Sequence, residues 1–292
     1  MTRLLAATDF SADAQFALDR AGQLARAWNA ELDLLHVPAH GLWPQGAGML
    51  SKYLGTGNLA SLEEDEQRLA GLAAALSRRF RIKAAIHVVP GRAAQEIAAF
   101  ATAREADMVV MAVRGQGRTR AGAVGGTALK VLWQSLVPVL LVRTPAETAY
   151  RRVMLATDLS DRSLEGGRRV AAQWPKAGLS IVHAFRGEYE TALELAGTSA
   201  AMLREYRADQ ALLAAEGLAQ FWKQMRGDSR RRAAEFLVQS HPVPGVLKAA
   251  AELKPDLVVL GRHAGPRWEE RILGSVAQNL IQQLKTDTLM LA

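Results

Sequence analysis

The residues best suited to chemistry lie in a glycine-rich segment of the second half, which runs from Gly261 through His263 and Gly265 to Gly274 and Ser275. Glycines let backbone amides approach an anion closely. A Gly-Ser pair that opens a helix adds free amides and a hydroxyl at the positive end of the helix dipole. This spacing predicts a phosphate site, and a glycine-rich turn with Ser275 as a helix cap is the alternative.

A related segment lies in the first half, with Gly115 followed by Gly126 and Thr127. Ala112 stands where the second half has Gly261, and the count to Gly126 is one residue longer. The segment therefore departs further from the phosphate pattern than its counterpart does. Its arginines could contact phosphates or extend into water; they are Arg114, Arg118 and Arg120.

An acidic residue follows the first predicted strand of each half, Asp9 after Thr8 and Asp158 after Thr157. A carboxylate at the end of a strand can accept hydrogen bonds from a base amino group or a ribose hydroxyl. The alternative is that each aspartate only helps to cap the helix that follows, for which Ser11 is the predicted N-cap. His36 and His183 recur on the second strands, where we expect buried imidazoles that the backbone satisfies.

The chain is a tandem duplication. Leu4–Ser11 returns as Val153–Ser160, and Asp107–Ala112 returns as Asp256–Gly261, both 149 residues later. A period of this length indicates a repeated domain rather than a solenoid repeat. We predict domains over 1–146 and 150–292, with a short linker near 143–150.

Five apolar runs in each half predict strands, and helical patterns lie between them. The expected strands of the first half are 3–8, 31–37, 82–89, 108–112 and 137–142, and those of the second are 152–157, 179–184, 233–239, 257–261 and 288–291. A mobile loop is predicted over Ala39–Asn58, and one long helix over Glu188–Met225.

Strands that alternate with helices pair in parallel, because each crossover helix covers a face of the sheet. The predicted fold is therefore α/β, with two tandem doubly wound five-stranded domains. Ligands of such sheets bind beyond the C-terminal ends of the strands, where the strand order reverses. The loops after the first and fourth strands are the expected site.

Composition limits the function classes. The chain has 292 residues, a formal net charge of +7 and no cysteine, which excludes disulfides, thiolate nucleophiles and zinc-thiolate sites. We expect a cytoplasmic protein without a signal peptide or a membrane span. The sequence contains no Walker loop, no dinucleotide fingerprint after the first strand and no metalloprotease or serine-hydrolase motif.

These motifs resemble those of the universal stress protein family, whose nucleotide-binding members carry Gly, two residues, Gly, nine residues and Gly-Ser or Gly-Thr after the fourth strand. The resemblance covers nearly the whole chain, one family domain in each half, and implies an adenine nucleotide alpha hydrolase-like fold whose domains pair through strand five. It implies ATP or AMP, with or without Mg²⁺. Adenine contacts would fall on Asp9 and Val37, or on Asp158 and Ala184. Phosphates would meet the glycine-rich loops and the helix starts.

Three hypotheses follow. The first is a stress-response regulator or sensor that binds adenine nucleotide in at least one domain, acts on an unknown protein partner, and hydrolyses ATP slowly if at all. The second is a scaffold of the same fold that acts through the helix Glu188–Met225, with its four large aromatic residues. The third, which we do not expect, is a nucleic-acid binder that uses the arginine excess. A monomer and a homodimer both remain open.

Overall fold

The computed structural model describes residues 2–38, 57–117, 123–227, 233–262 and 274–292. The chain divides into two compact units, with the boundary between Ala149 and Tyr150. We call them the first unit and the second unit.

The first unit alternates strands with helices. Its strands are β1 (Arg3–Thr8), β2 (Glu31–His36), β3 (Ala84–Val88), β4 (Met108–Ala112) and β5 (Val139–Val142). Its helices are α1 (Ala12–Trp28), α2 (Gly57–Phe80), α3 (Ala93–Ala103) and α4 (Gly126–Gln134).

The second unit repeats this order with one extra helix. Its strands are β6 (Arg152–Ala156), β7 (Gly178–Phe185), β8 (Ala233–Gln239), β9 (Leu257–Leu260) and β10 (Asp287–Met290). Its helices are α5 (Asp161–Gln173), α6 (Glu190–Leu195), α7 (Ala200–Arg226), α8 (Pro242–Leu253) and α9 (Ser275–Gln283).

Each unit holds a parallel sheet in the doubly wound order. The order is β3-β2-β1-β4-β5 in the first unit and β8-β7-β6-β9-β10 in the second. The register pairs Leu5 with Asp33 on one side and with Val109 on the other. The strand order therefore reverses between β1 and β4, and between β6 and β9, which confirms the predicted fold class.

Burial of the central strands explains why this sequence folds in this way. Every residue of β4, β5 and β9 is buried, and so is every residue of β1 except Arg3. Continuous apolar runs of this kind are typical of strands in a sheet that helices cover on both faces. The core of each unit is therefore the sheet itself, and the polar residues are left to the strand ends.

The single helix predicted over Glu188–Met225 is wrong. The segment forms α6 and α7, because Gly197 adopts a left-handed backbone conformation with φ 71°. Ser199 then caps α7, since its hydroxyl accepts a hydrogen bond from the amide of Met202 at 3.3 Å. Residues 200–217 contain no buried side chain, and the buried residues of α7 all lie in its last part: Leu218, Phe221, Trp222 and Met225.

The predicted loop Ala39–Asn58 lies mostly outside the described residues, although its last two residues, Gly57 and Asn58, belong to α2. Among the helices that are described, none is long and apolar enough to cross a membrane.

Candidate functional site

The residues predicted for the second unit surround one cavity at the C-terminal edge of its sheet. Asp158 follows β6, Ala184 lies near the end of β7, Gly261 follows β9, and Gly274 and Ser275 begin α9; all five line the cavity, which has a volume of about 200 Å³. The other two predicted residues, His263 and Gly265, lie outside the described residues. The topological switch point thus gathers residues that are more than a hundred positions apart in sequence.

The start of α9 differs from the start of α5 in one respect that matters for anions. Ser160 caps α5 by accepting a hydrogen bond from the amide of Ser163, whereas the N-cap of α9 is Gly274, which has no side chain to accept one. The first amides of a helix carry the positive end of its dipole. Because Gly274, Ser275 and Val276 line the cavity, these uncapped amides are available to an anion there.

The first unit contains the equivalent cavity, with a volume of about 280 Å³. All five residues predicted for this unit line it: Asp9, Val37, Gly115, Gly126 and Thr127. Helix α4 begins after Gly125, which again provides no side-chain cap. Although the glycine-rich segment of this unit is one residue longer, the helix after it still begins at the cavity without a side-chain cap.

The turn between the first strand and the first helix is the same in both units. In the first unit the hydroxyl of Thr8 accepts a hydrogen bond from the amide of Phe10 at 3.0 Å. In the second unit the hydroxyl of Thr157 accepts one from the amide of Leu159 at 2.9 Å. The aspartate carboxylate accepts the amide of the serine that caps the helix. Phe10 and Leu159 have φ of 63° and 64°, a left-handed conformation that costs a bulky residue roughly 1–2 kcal/mol. The fold therefore maintains strain beside each cavity.

The two aspartates differ in their remaining contacts. The second carboxylate oxygen of Asp9 accepts the backbone amide of Gln116 at 2.7 Å, and the side chain of Gln116 donates to the main-chain oxygen of Asp9. In the part of the chain that the structure describes, the carboxylate of Asp158 bonds to Ser160 alone. Asp158 is also exposed.

Both recurring histidines contact the main chain, as predicted, but His36 is buried whereas His183 is half-buried and lines the second cavity. The Nδ1 atom of His36 lies 2.8 Å from the main-chain oxygen of Thr8, and that of His183 lies 2.9 Å from the oxygen of Thr157. These contacts join the second strand of each sheet to the end of the first. They position the aspartate that follows the threonine.

Of the three arginines in the first glycine-rich segment, Arg114 lines the cavity and donates from Nε to the carboxylate of Asp13 at 2.9 Å. Arg118 and Arg120 lie outside the described residues.

Sequence reasoning missed one wall of each cavity. Ala93 and Ile97 at the start of α3 line the first, and Pro242 and Val246 at the start of α8 line the second. These helices follow the third strand, and parallel topology brings their N-termini to the same edge of the sheet. Gly245 allows α8 to approach closely, since a Cβ there would overlap the side chain of Ala184.

The donor set of each cavity fits a nucleotide better than a resident metal. Each cavity is lined by a carboxylate and by the uncapped start of a helix, groups that suit a hydroxyl-bearing sugar and a phosphate. Within the described ranges, no group of three or more histidine, aspartate or glutamate side chains could hold a metal ion.

A parallel sheet whose strand order reverses at a cavity defines a doubly wound α/β domain in each unit. The model of the universal stress protein family matches residues 1–143 and again 149–292. The chain therefore belongs to the universal stress protein family, with one family domain in each half.

Solved structures show the same fold. A universal stress protein from Archaeoglobus fulgidus DSM 4304 is 20% identical, with a TM-score of 0.65 over 99% of this chain and 95% of its own. A protein of unknown function from Pseudomonas aeruginosa PAO1 is 17% identical, with a TM-score of 0.64 over 100% and 92% of the two chains. A universal stress protein solved in complex with cAMP is 25% identical, with a TM-score of 0.35 over 50% and 98%. No curated protein matches the chain in sequence.

Proposed function

We propose that this protein binds an adenine nucleotide, ATP or AMP, and acts as a regulator or sensor in a stress response. The second unit is the principal site. Asp158 would accept a hydrogen bond from the adenine amino group or a ribose hydroxyl, the main chain at Ala184 would meet the adenine, and the start of α9 would hold the phosphates.

The observation that carries the proposal is the shared cavity of Asp158 and the uncapped start of α9. A free carboxylate oxygen and free helix amides are complementary to the two polar parts of a nucleotide. Neither group has another partner assigned to it within the described residues. The same cavity has apolar lining residues, among them Leu260 and Val246, which suit a base.

Regulation fits the site better than catalysis. The described lining of the second cavity contains Ser163, Ser275 and His183, but the Nδ1 atom of His183 lies against the main-chain oxygen of Thr157, and no hydrogen bond among the described residues joins either serine hydroxyl to a side-chain base. Mg²⁺ would arrive with the phosphates of ATP rather than occupy a site of its own. We therefore propose slow ATP hydrolysis at most.

Titration calorimetry with ATP and AMP, each with and without Mg²⁺, tests this proposal. We expect binding to the full chain, and Asp158→Asn to weaken it about tenfold, because a hydrogen bond to a charged acceptor contributes roughly 1.5–3 kcal/mol. Asp161→Asn is the matched control, since Asp161 is an exposed residue of the next helical turn and is not among the cavity residues. Absence of binding at millimolar nucleotide would exclude the proposal, and so would equal affinities of the two variants.

A second function, protein contact, is favoured by one feature of the second unit. Helices α6 and α7 expose large apolar side chains, among them Leu195 at 84%, Leu212 at 62% and Leu213 at 60%. We propose that this helical pair, hereafter the arm (190–217), contacts the protein partner. A cytoplasmic location, domain pairing through strand five and the possible homodimer stay predictions.

A further inference from the structure

Residues 61–68 of α2 meet the sheet of the first unit with charged side chains. None of these eight residues is buried, and Leu69 is the first buried residue after them. Within this stretch, Asp65 lies beside His36 of β2, and Arg68 lies over the ring of Phe10. Asp65 and Arg68 are three positions apart and therefore share one face of the helix. That face reaches the turn between β1 and α1.

Phe10 and His36 connect these contacts to the turn that carries Asp9. The centroids of their rings are 4.2 Å apart, and the Arg68 guanidinium lies 4.4 Å from the centroid of Phe10. Phe10 follows Asp9 directly. His36 also contacts the residue before Asp9, since its Nδ1 atom lies 2.8 Å from the main-chain oxygen of Thr8. His36 therefore touches the turn on both sides of Asp9.

The contact with Thr8 fixes which ring nitrogen of neutral His36 carries the proton. A main-chain oxygen can only accept, so Nδ1 is the donor, and Nε2 of the neutral imidazole is a bare acceptor. Nε2 lies 3.5 Å from Oδ2 of Asp65, which is longer than an ordinary hydrogen bond. Because two acceptors do not bond to each other, no hydrogen bond joins this pair while His36 is neutral. A proton on Nε2 makes the same pair attractive.

Two charged side chains of α2 lie near His36, and they act in opposite directions. Asp65 attracts an imidazolium and is 3.5 Å from Nε2. Arg68 repels one, but its contact is with the ring of Phe10. The titratable groups of the turn and of β3 have partners elsewhere: the carboxylate of Asp9 accepts the amides of Ser11 and Gln116, and His87 contacts Asp33. Asp65 is therefore the group that would bind a proton carried by Nε2.

The other described neighbours of this contact are uncharged. Strand β3 pairs Val88 with His36. Helix α1 contributes Ala12, Gln15 and Leu18 to a cavity of about 270 Å³, which Phe10 and Arg68 of the opposite side also line. Since α1 and α2 leave this space between them, the stretch 61–68 has room to approach the turn or to withdraw from it.

We propose that four residues, hereafter the clamp, hold the turn in a proton-dependent way: Phe10, His36, Asp65 and Arg68. When His36 is protonated, its Nε2–H donates to Asp65 and fastens residues 61–68 onto the turn. When Nε2 loses the proton, the clamp loosens while the Nδ1 contact remains. An imidazole changes its charge between about pH 5 and 8, so the clamp tightens on acidification within that range. It goes beyond the proposed function and does not require a nucleotide.

Hydrogen exchange of the nucleotide-free full chain tests the clamp at about pH 6 and about pH 8, after correction for the intrinsic pH dependence of exchange. We expect the amides of residues 61–72 to be about three- to tenfold more protected at the lower pH. The amide of Phe10, which donates to the hydroxyl of Thr8, should follow them. Asp65→Asn should remove most of the difference, because a neutral side chain does not attract an imidazolium.

Glu66→Gln is the matched control. Glu66 is the next residue of the same helix, is exposed and takes no part in the clamp, so this variant should keep the full difference. His36→Asn is a second variant, since its amide can still donate to Thr8 but cannot titrate; its protection should be the same at both pH values.

Three results would overturn the clamp. The first is equal protection at both pH values in the unaltered protein. The second is an equal loss of the difference in Asp65→Asn and Glu66→Gln, which would make it an effect of net helix charge. The third is a difference confined to residues 61–72 with Phe10 unchanged, because the helix would then tighten without holding the turn.

Discussion

Among the residues that the structure describes, the non-glycine positions with a left-handed backbone fall into two groups. Asn29, Arg81, Glu105 and Lys254 follow the ends of helices, where a residue with positive φ commonly completes the last turn. Phe10 and Leu159 instead follow the aspartates at the two cavities. Strain at a helix end is incidental, whereas the same strain repeated beside two equivalent cavities indicates that the turn geometry is needed there.

Glu105 provides a test of this strain because it is exposed and has φ 52°. We expect Glu105→Gly to stabilise the first unit by about 0.5–1 kcal/mol, since relief of the left-handed strain exceeds the entropy that glycine gains on unfolding. Urea unfolding measures this change. Glu105→Gln removes the same charge but keeps the strain, so it should leave the midpoint nearly unchanged; a stabilisation equal to that of glycine would show that charge is the cause.

Residue types at the candidate site were largely predictable, and their partners were not. Thr-Asp at a strand end and Gly-Ser at a helix start are local patterns, and the topology rule brings them to one edge of the sheet. The contact between Gln116 and Asp9 spans 107 positions and depends on the path of a loop. No local pattern distinguishes Gln116 from any other polar loop residue.

At the scale of elements, the arm is held by ionic contacts rather than by a core. The carboxylate of Glu190 accepts from Arg207 at 2.6 Å and lies 3.5 Å from Arg186. Burial opposes ionisation of Glu190, but the hydrogen bond and charge of Arg207, together with Arg186, outweigh it and hold the pKa of Glu190 below its usual value. Glu194 bridges the same two arginines at 2.7 and 3.1 Å.

Removal of this charge should loosen the arm. We expect Glu190→Gln to raise the hydrogen-exchange rates of residues 190–217 and to lower the unfolding midpoint of the second unit by about 2–4 °C. Glu165→Gln is the control, because Glu165 pairs only with Arg169 in an exposed i, i+4 contact that contributes little. Identical exchange in the arm of both variants would contradict the role of Glu190.

The lowered pKa also fixes a dependence on pH. A carboxylate whose pKa is lower in the folded protein than in the unfolded chain stabilises the fold at pH values above its ordinary pKa. That ordinary pKa is 4.5 for Glu190 and 3.8 for Asp256. For Asp256 burial again opposes ionisation, but the amide of Arg151 and the side chain, amide and charge of Arg152 outweigh it and lower the pKa. We expect second-unit stability to fall as pH drops below about 4.5, and Glu190→Gln to reduce the fall. Equal acid sensitivity in the variant would contradict this assignment.

Element types were predicted well because their signals are long, and the helix break was missed because its signal is short. The flanks of Gly197 are rich in alanine, leucine and glutamate, which favour helix on both sides. Gly197 ends one helix and Ser199 caps the next. These two residues break the helix even though the composition on both sides favours one. Strand ends moved by one or two residues, as usual for boundaries that depend on pairing.

At the scale of the whole molecule, the net charge of +7 does not imply a nucleic-acid surface. Many arginines of the described residues already pair with carboxylates: Arg3, Arg79, Arg104, Arg114, Arg152, Arg169, Arg186 and Arg207. Neutralised side chains release no counterions from DNA. These pairs are neutral, so the excess of +7 lies on the remaining basic side chains, which are spread over both halves of the sequence.

We expect no measurable binding of duplex DNA at about 0.15 M salt, and only weak, steeply salt-dependent binding below it. Fluorescence anisotropy with a labelled duplex checks this, and a DNA-binding protein of similar charge is the positive control. Tight binding at about 0.15 M salt would revive the nucleic-acid hypothesis.

The unburied stretch of α7 has a practical consequence for experimenters. Because residues 200–217 contribute no side chain to the interior, a dye attached at Ala208, which is exposed, would leave the packing of the sheet undisturbed. A reporter there would sense the surroundings of the second unit without perturbing its ligand cavity.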